Sequence, residues 1–168
     1  MVKFQKLLPL VALTFLSSVA IAFGWAEPIV RSQQLQTPTN AYTQKVTREV
    51  LASGSPTEVQ GRVLELVKYT IPPNSKLPVH IHPGMQIERV ESGTLTYTVV
   101  KGSAKITRSN GKEETLEAGK TTRLNVGDAL VEIGGMVHYG ENETDNPVVL
   151  LSASLFEEGK PKAILINP

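Results

Sequence analysis

From about Val46 onward, hydrophobic residues come in short runs separated by turn signals at roughly ten-residue intervals, the spacing of an all-β sandwich or barrel. The signals are PPN at 72, PG at 83, SG at 92, KG at 101, NG at 110, AG at 118, GD at 127, GG at 134 and EEGK at 157. TLTYTVV alternates cleanly, with Leu95, Tyr97 and Val99 on one face and Thr94, Thr96 and Thr98 on the other. RVLELVKYTI is apolar on both faces at its middle, which predicts a strand covered on both sides. Asn110-Gly111 followed by KEE at 112 to 114 predicts a solvated hairpin tip. Outside the first 26 residues there is no helical stripe of useful length and no internal repeat.

The opening residues follow another pattern. Lys3 and Lys6 precede a long apolar run from Leu7, and Gly24 and Ala26 are small residues before Glu27. That is the layout of a removable export signal over residues 1–26, and Ala20 and Ala22 offer an earlier cut. Residues 7 to 26 are also about long enough to span a bilayer, so a membrane anchor is the alternative. Residues 27–45 are rich in Gln and Thr without periodicity and predict a flexible polar arm. One folded domain over 46–168 suits what remains.

Composition narrows the chemistry. The chain has no cysteine, which suits an oxidising compartment and excludes disulfides and thiolate metal sites. Cleavage after Ala26 removes two lysines and no acids, taking the formal charge from +1 to −1. A near-neutral chain without a basic stripe has no electrostatic footprint for nucleic acid. The same cut removes Trp25 and three of the four phenylalanines, leaving an aliphatic core.

All three histidines fall in two short stretches, PVHIHPGMQIERVESG and GGMVHYGEN. Side chains two apart on a strand share a face, so His80 and His82 can converge on one ion. Imidazole suits Zn, Cu, Fe and Ni. After the Pro83-Gly84 turn, Gln86, Glu88 and Val90 share one face and add oxygen donors of the kind that complete an octahedral site. His138 follows GDALVEIGG, whose glycines allow a close backbone approach. Met85 and Met136, beside these stretches, suit packing better than sulfur ligation, and Tyr97 suits either a pocket wall or a core position with its hydroxyl satisfied.

With these residues in place the chain resembles the cupin superfamily. The first stretch is similar to the motif G-x5-H-x-H-x3,4-E-x6-G through His80, His82 and Gly93, and the second to G-x5-P-x-G-x2-H-x3-N through Gly127, Gly135, His138 and Asn142. The resemblance implies a small double-stranded β-barrel of jelly-roll type and one divalent transition metal, Mn, Fe, Zn, Ni or Cu, on His80, His82 and His138. It also implies a homodimer and a small-molecule ligand. Two positions depart from the pattern. Ile133 stands for the proline, and Gln86 stands for the glutamate. With Gln86 as fourth ligand the donor set is neutral and leaves the full metal charge to polarise a ligand. Glu88 then acts as general base or supports the ligands; alternatively, Glu88 itself supplies the carboxylate.

These residues suggest a small exported metalloenzyme, periplasmic or secreted, acting on an oxygen-rich molecule in a dioxygenase-like or sugar- or uronate-isomerase-like reaction. A barrel that binds a metal or small molecule without turnover is the alternative. Contact with a membrane is expected only if the first segment stays attached.

Cleavage after Ala26 predicts a mature product without tryptophan, whose fluorescence comes from tyrosine alone. Mass spectrometry of the exported protein checks this, and Trp25 recovered in a membrane fraction would establish the anchor.

Overall fold

The computed structural model describes residues 46–166, so the expected signal segment and the whole polar arm lie outside the described residues. Every regular element among the described residues is a strand. In chain order these are β1 (Thr47–Gly54), β2 (Arg62–Ile71), β3 (Ser75–Lys76), β4 (His80–Ile81), β5 (Gly84–Ser92), β6 (Leu95–Lys101) and β7 (Ser103–Thr107). They continue with β8 (Glu113–Glu117), β9 (Lys120–Leu124), β10 (Ala129–Glu132), β11 (Val137–Asn142), β12 (Val148–Glu157) and β13 (Ile164–Leu165).

The strands form a seven-stranded sheet, β1-β2-β12-β5-β10-β7-β8, and a six-stranded sheet, β13-β4-β11-β6-β9, with β3 paired to β11. Every pairing is antiparallel. Apart from the β1–β2 and β7–β8 pairs, neighbours in each sheet are distant in sequence, as in a jelly roll, so both histidine stretches are brought to the middle of the fold. The core is aliphatic as composition requires, built on Ile71, Val90, Leu95, Val99, Ile106, Leu124, Leu130, Val148 and Leu150. At about 1.5–3 kcal/mol for each large side chain removed from water, this interior drives the closure of one sheet on the other.

Leu95, Tyr97 and Val99 of β6 face that core, as their alternation predicts. β7 and β8 form the expected hairpin around Asn110-Gly111. The expectation for β2 is corrected. Glu65, Val67 and Ile71 are buried, but Leu64 and Leu66 on the other face are 49% and 38% exposed. Among the described residues only one layer packs on β2, and its outward leucines continue into an apolar row with Met85 and Ile87 of β5. Met85 is therefore outside the core, whereas Met136 packs within it.

Two residues of the histidine stretches serve the frame. Asn142 is buried on β11; its amide nitrogen donates to the carbonyls of Ile71, Pro72 and Asn146, and its oxygen accepts from Thr144. One side chain thus ties the end of β2 to the loop before β12. Gly84, at the start of β5, has backbone on two sides. A Cβ there would land on the Leu155 carbonyl, and Gly134 crosses close to the same residue.

Because that space belongs to backbone and cannot yield by a rotamer change, Gly84→Ala is expected to destabilise the fold by about 2 kcal/mol or more. Chemical denaturation measures it, and an unchanged midpoint would contradict the close approach of β5 and β12.

Candidate metal centre

The two sheets each contribute a cross-strand pair to one buried volume. In the six-stranded sheet His138 of β11 is directly opposite His80 of β4. In the seven-stranded sheet Glu132 of β10 is directly opposite Gln86 of β5. His82, between β4 and β5, completes the cluster, its ring stacked on buried Phe156. His80, His82 and His138 are all buried, and each offers a ring nitrogen within 4.8 Å of the others.

Backbone carbonyls fix the rings. Nδ1 of His80 lies 2.8 Å from the Pro78 oxygen, Nδ1 of His82 2.6 Å from the Lys162 oxygen, and Nδ1 of His138 3.1 Å from the Met136 oxygen. A carbonyl only accepts, so each Nδ1 carries the ring hydrogen and each neutral ring turns the lone pair of Nε2 inward. Orientation of metal-binding imidazoles by a partner on the other nitrogen is the usual device. Ligands about 2.1 Å from one ion are at most about 4.2 Å apart, so nitrogens within 4.8 Å of one another share an ion after at most a small closure. The histidine cluster fits a divalent transition metal.

Glu132 was absent from the expected site residues. It is 2% exposed, and its two oxygens lie 3.3 Å from Nε2 of His82 and 3.2 Å from Nε2 of His138. Tyr97 donates to it at 2.7 Å, and the Gln86 amide at 3.2 Å. A signal was present in the sequence: Glu132 alternates with Leu130, so both face inward once β10 is buried.

Of the other expected residues, Gln86 and Glu88 both reach the centre. The Gln86 nitrogen donates to Glu88 at 2.7 Å and lies 3.4 Å from Nε2 of His82. Its oxygen is buried with no hydrogen-bond partner. Glu88 is one place further along β5 on the same face and is 6% exposed. Tyr97 lines the cavity, as its position on β6 suggests, and Tyr139 projects away from His138, under the Lys76 ammonium.

The carboxyl groups divide in their electrostatics. Burial alone would raise Glu132, but His138 and His82 outweigh it and hold the carboxyl down to about 2. Glu88 is raised well above the usual range, by burial first and then by the charge of Glu132. Burial would lower His82, yet its bond to Glu132 and that group's charge leave it raised. His80 is pushed down to about 3 by burial and by His138 and His82. His138 is lowered, chiefly by burial. Tyr97 is raised by burial and by the adjacent charge of Glu132.

The cluster forms the floor of a cavity of about 220 Å³, whose walls include Ile71, Leu77, Leu95 and Leu150. This is smaller than the roughly 300–1,000 Å³ of drug-sized sites, so an occupant must be small. Arg48 and Lys162 also line it, and both pair with Glu65, at 2.7 and 3.0 Å. Lys162 belongs to the segment that leads into β13, which lies alongside β4 and encloses one side.

Residues 67–154, just over half of the chain, match the model of the cupin domain family. No curated protein matches the chain. Among solved structures it is similar to a cupin superfamily protein from Desulfitobacterium hafniense, at 12% identity over 67% of this chain and 78% of that one, with a TM-score of 0.46. It is also similar to an oxalate oxidase in complex with the substrate analogue glycolate, at 18% identity over 85% and 66% of the two chains, with a TM-score of 0.48. A third is a salicylate 1,2-dioxygenase from Pseudaminobacter salicylatoxidans, at 16% identity over 54% of this chain and 20% of that one, with a TM-score of 0.40. The matched segment carries His80, His82 and His138 on the strands and turns of one jelly roll, and the chain belongs to the cupin family.

Proposed function

We propose that this chain is an exported, metal-dependent cupin enzyme that converts a small, oxygen-rich molecule in a dioxygenase-like or isomerase-like reaction. The observation that carries the reading is the convergence of three Nε2 lone pairs, each freed by a backbone bond at Nδ1, on a cavity floor that also holds two buried carboxyl groups. His80, His82 and His138 would hold one ion of Mn, Fe, Zn, Ni or Cu. When bound, such an ion supplies Lewis acidity and, for Fe, Mn or Cu, a means of engaging dioxygen.

The remaining work belongs to the chain. Ile71, Leu77, Leu95 and Leu150 keep water from the bound molecule and strengthen polar contacts at the floor. Glu88 lines the cavity within the buried network and is placed to accept or return a proton, its carboxyl held by the Gln86 amide. At the mouth, Arg48 and Lys162 share the single carboxylate of Glu65, leaving one positive charge in excess for an anionic end of the substrate. A small hydroxy acid or enediolate, with one end at the floor and the other toward Arg48, fits these features. Export rests on the first 26 residues, outside those described.

The protein isolated from its own host is expected to carry one divalent transition ion. Replacing His80, His82 or His138 by alanine should lower metal affinity by more than about 100-fold, beyond the 10–100-fold typical of groups that only support ligands. Full metal content in His138→Ala would show that the two histidine stretches do not share an ion.

Turnover of diols, hydroxy acids or uronates should require the metal, and Glu88→Gln should reduce kcat by about 10²–10⁴ with metal content unchanged. Oxygen uptake with and without air separates the oxidative reaction from the isomerisation. A ligand bound tightly and recovered unchanged under both atmospheres would instead identify a binding protein.

A further inference from the structure

The three histidines leave open where the negative charge of the centre comes from. Gln86 occupies the place of the motif's acid, yet its amide is oriented away from ligation. Its nitrogen faces Glu88 at 2.7 Å and Glu132 at 3.2 Å, and the charged carboxylate of Glu132 can only accept. Turning the amide over would set its oxygen against that of Glu132. The group that directs oxygen at the imidazoles is Glu132, from the neighbouring strand and in direct register with Gln86.

That carboxylate has an unusual surrounding. Among the described residues no lysine or arginine pairs with it; its neighbours are His82, His138, the Tyr97 hydroxyl and the Gln86 amide. A buried carboxylate without a cation is costly. In the neutral rings of His82 and His138 the hydrogen is committed at Nδ1, so each Nε2 lone pair confronts a carboxylate oxygen, at 3.3 and 3.2 Å. Each of these two contacts sets lone pair against lone pair and calls for a cation, and one shared divalent ion would relieve both.

We propose that Glu132 is the anionic metal ligand of this protein, completing a set with His80, His82 and His138, while Gln86 and Tyr97 position its two oxygens. Relative to the motif, the acid stands on β10, directly opposite the β5 position where the motif has it and this chain has Gln86. The inference rests on the metal-dependent reading of the site. With one carboxylate among three neutral imidazoles, a bound divalent ion keeps a net charge of +1, so the centre polarises a ligand less than the neutral set with Gln86 would.

The test uses the protein stripped of metal and titrated with Co(II), read by calorimetry and by the visible d–d spectrum, beside Glu132→Gln, Gln86→Ala and the reciprocal double variant Gln86→Glu/Glu132→Gln. Glu132→Gln is expected to bind Co(II) at least about 100-fold more weakly, with an altered spectrum, whereas Gln86→Ala loses about tenfold and keeps the wild-type bands. The double variant should regain affinity to within about tenfold of wild type, because the carboxylate returns to the cluster from the opposite strand. Without metal, Glu132→Gln should melt at or above the wild-type Tm, since the isosteric amide removes an uncompensated buried charge; a purely structural Glu132 would give the reverse.

Wild-type affinity and spectrum in Glu132→Gln, with binding lost in Gln86→Ala, would overturn the assignment and make Gln86 the ligand. If Glu132→Gln does not fold, the double variant decides: tight Co(II) binding supports the exchange and absence of binding refutes it. Failure of the wild-type protein to bind any divalent ion would sink the metal-dependent reading itself and this inference with it.

Discussion

A buried carboxylate facing two imidazole lone pairs is the constraint around which the centre of this barrel is arranged. Among the described residues Glu132 has no lysine or arginine beside it, so its charge is met by the Tyr97 hydroxyl, the Gln86 amide and the rings of His82 and His138. Each of those groups is fixed in turn. Carbonyls of Pro78, Lys162 and Met136 hold the rings, and Glu88 takes the second hydrogen of the Gln86 amide. Raised Glu88 and lowered Glu132 are two sides of one effect, because two carboxylates in the same dry space cannot both ionise without strong compensation.

The frame exists to bring these groups together from distant parts of the chain. His80 and His138 meet through the antiparallel pairing of β4 with β11, and Gln86 and Glu132 through β5 with β10. Closing one sheet on the other then turns two cross-strand pairs into one cluster. Gly84 and Asn142 make the closure possible, one by admitting the β12 backbone, the other by saturating carbonyls where β2 ends. Errors at either place would reach the centre by moving β5 or β11.

The walls and mouth of the cavity divide the labour. Aliphatic residues line its sides, while charge is confined to the floor and to Arg48 and Lys162, both held by Glu65 behind them. Lys162 links the two levels, since its ammonium pairs at the rim and its carbonyl orients His82. A molecule that draws Lys162 away from Glu65 would therefore act on the same short segment that sets a ring of the cluster.

The sequence alone determined the strand content, the turn positions, the alternation on β6 and the three histidines that converge, because each is written in local periodicity or in residue types with few other uses. It also located Gln86 and Glu88 on one face. Pairing across sheets decided the rest. Leu64 and Leu66 look buried from their run of apolar neighbours, but only the number of layers packed on β2 fixes which face is covered, and one layer left them exposed. Glu132 sits at the end of a four-residue strand, where alternation with Leu130 marks an inward face but names no partner. Its role appears only when β10 lies against β5 and places it opposite Gln86, 46 positions away along the chain. Register between distant strands is set by the closure of the whole barrel, and no local pattern carries it.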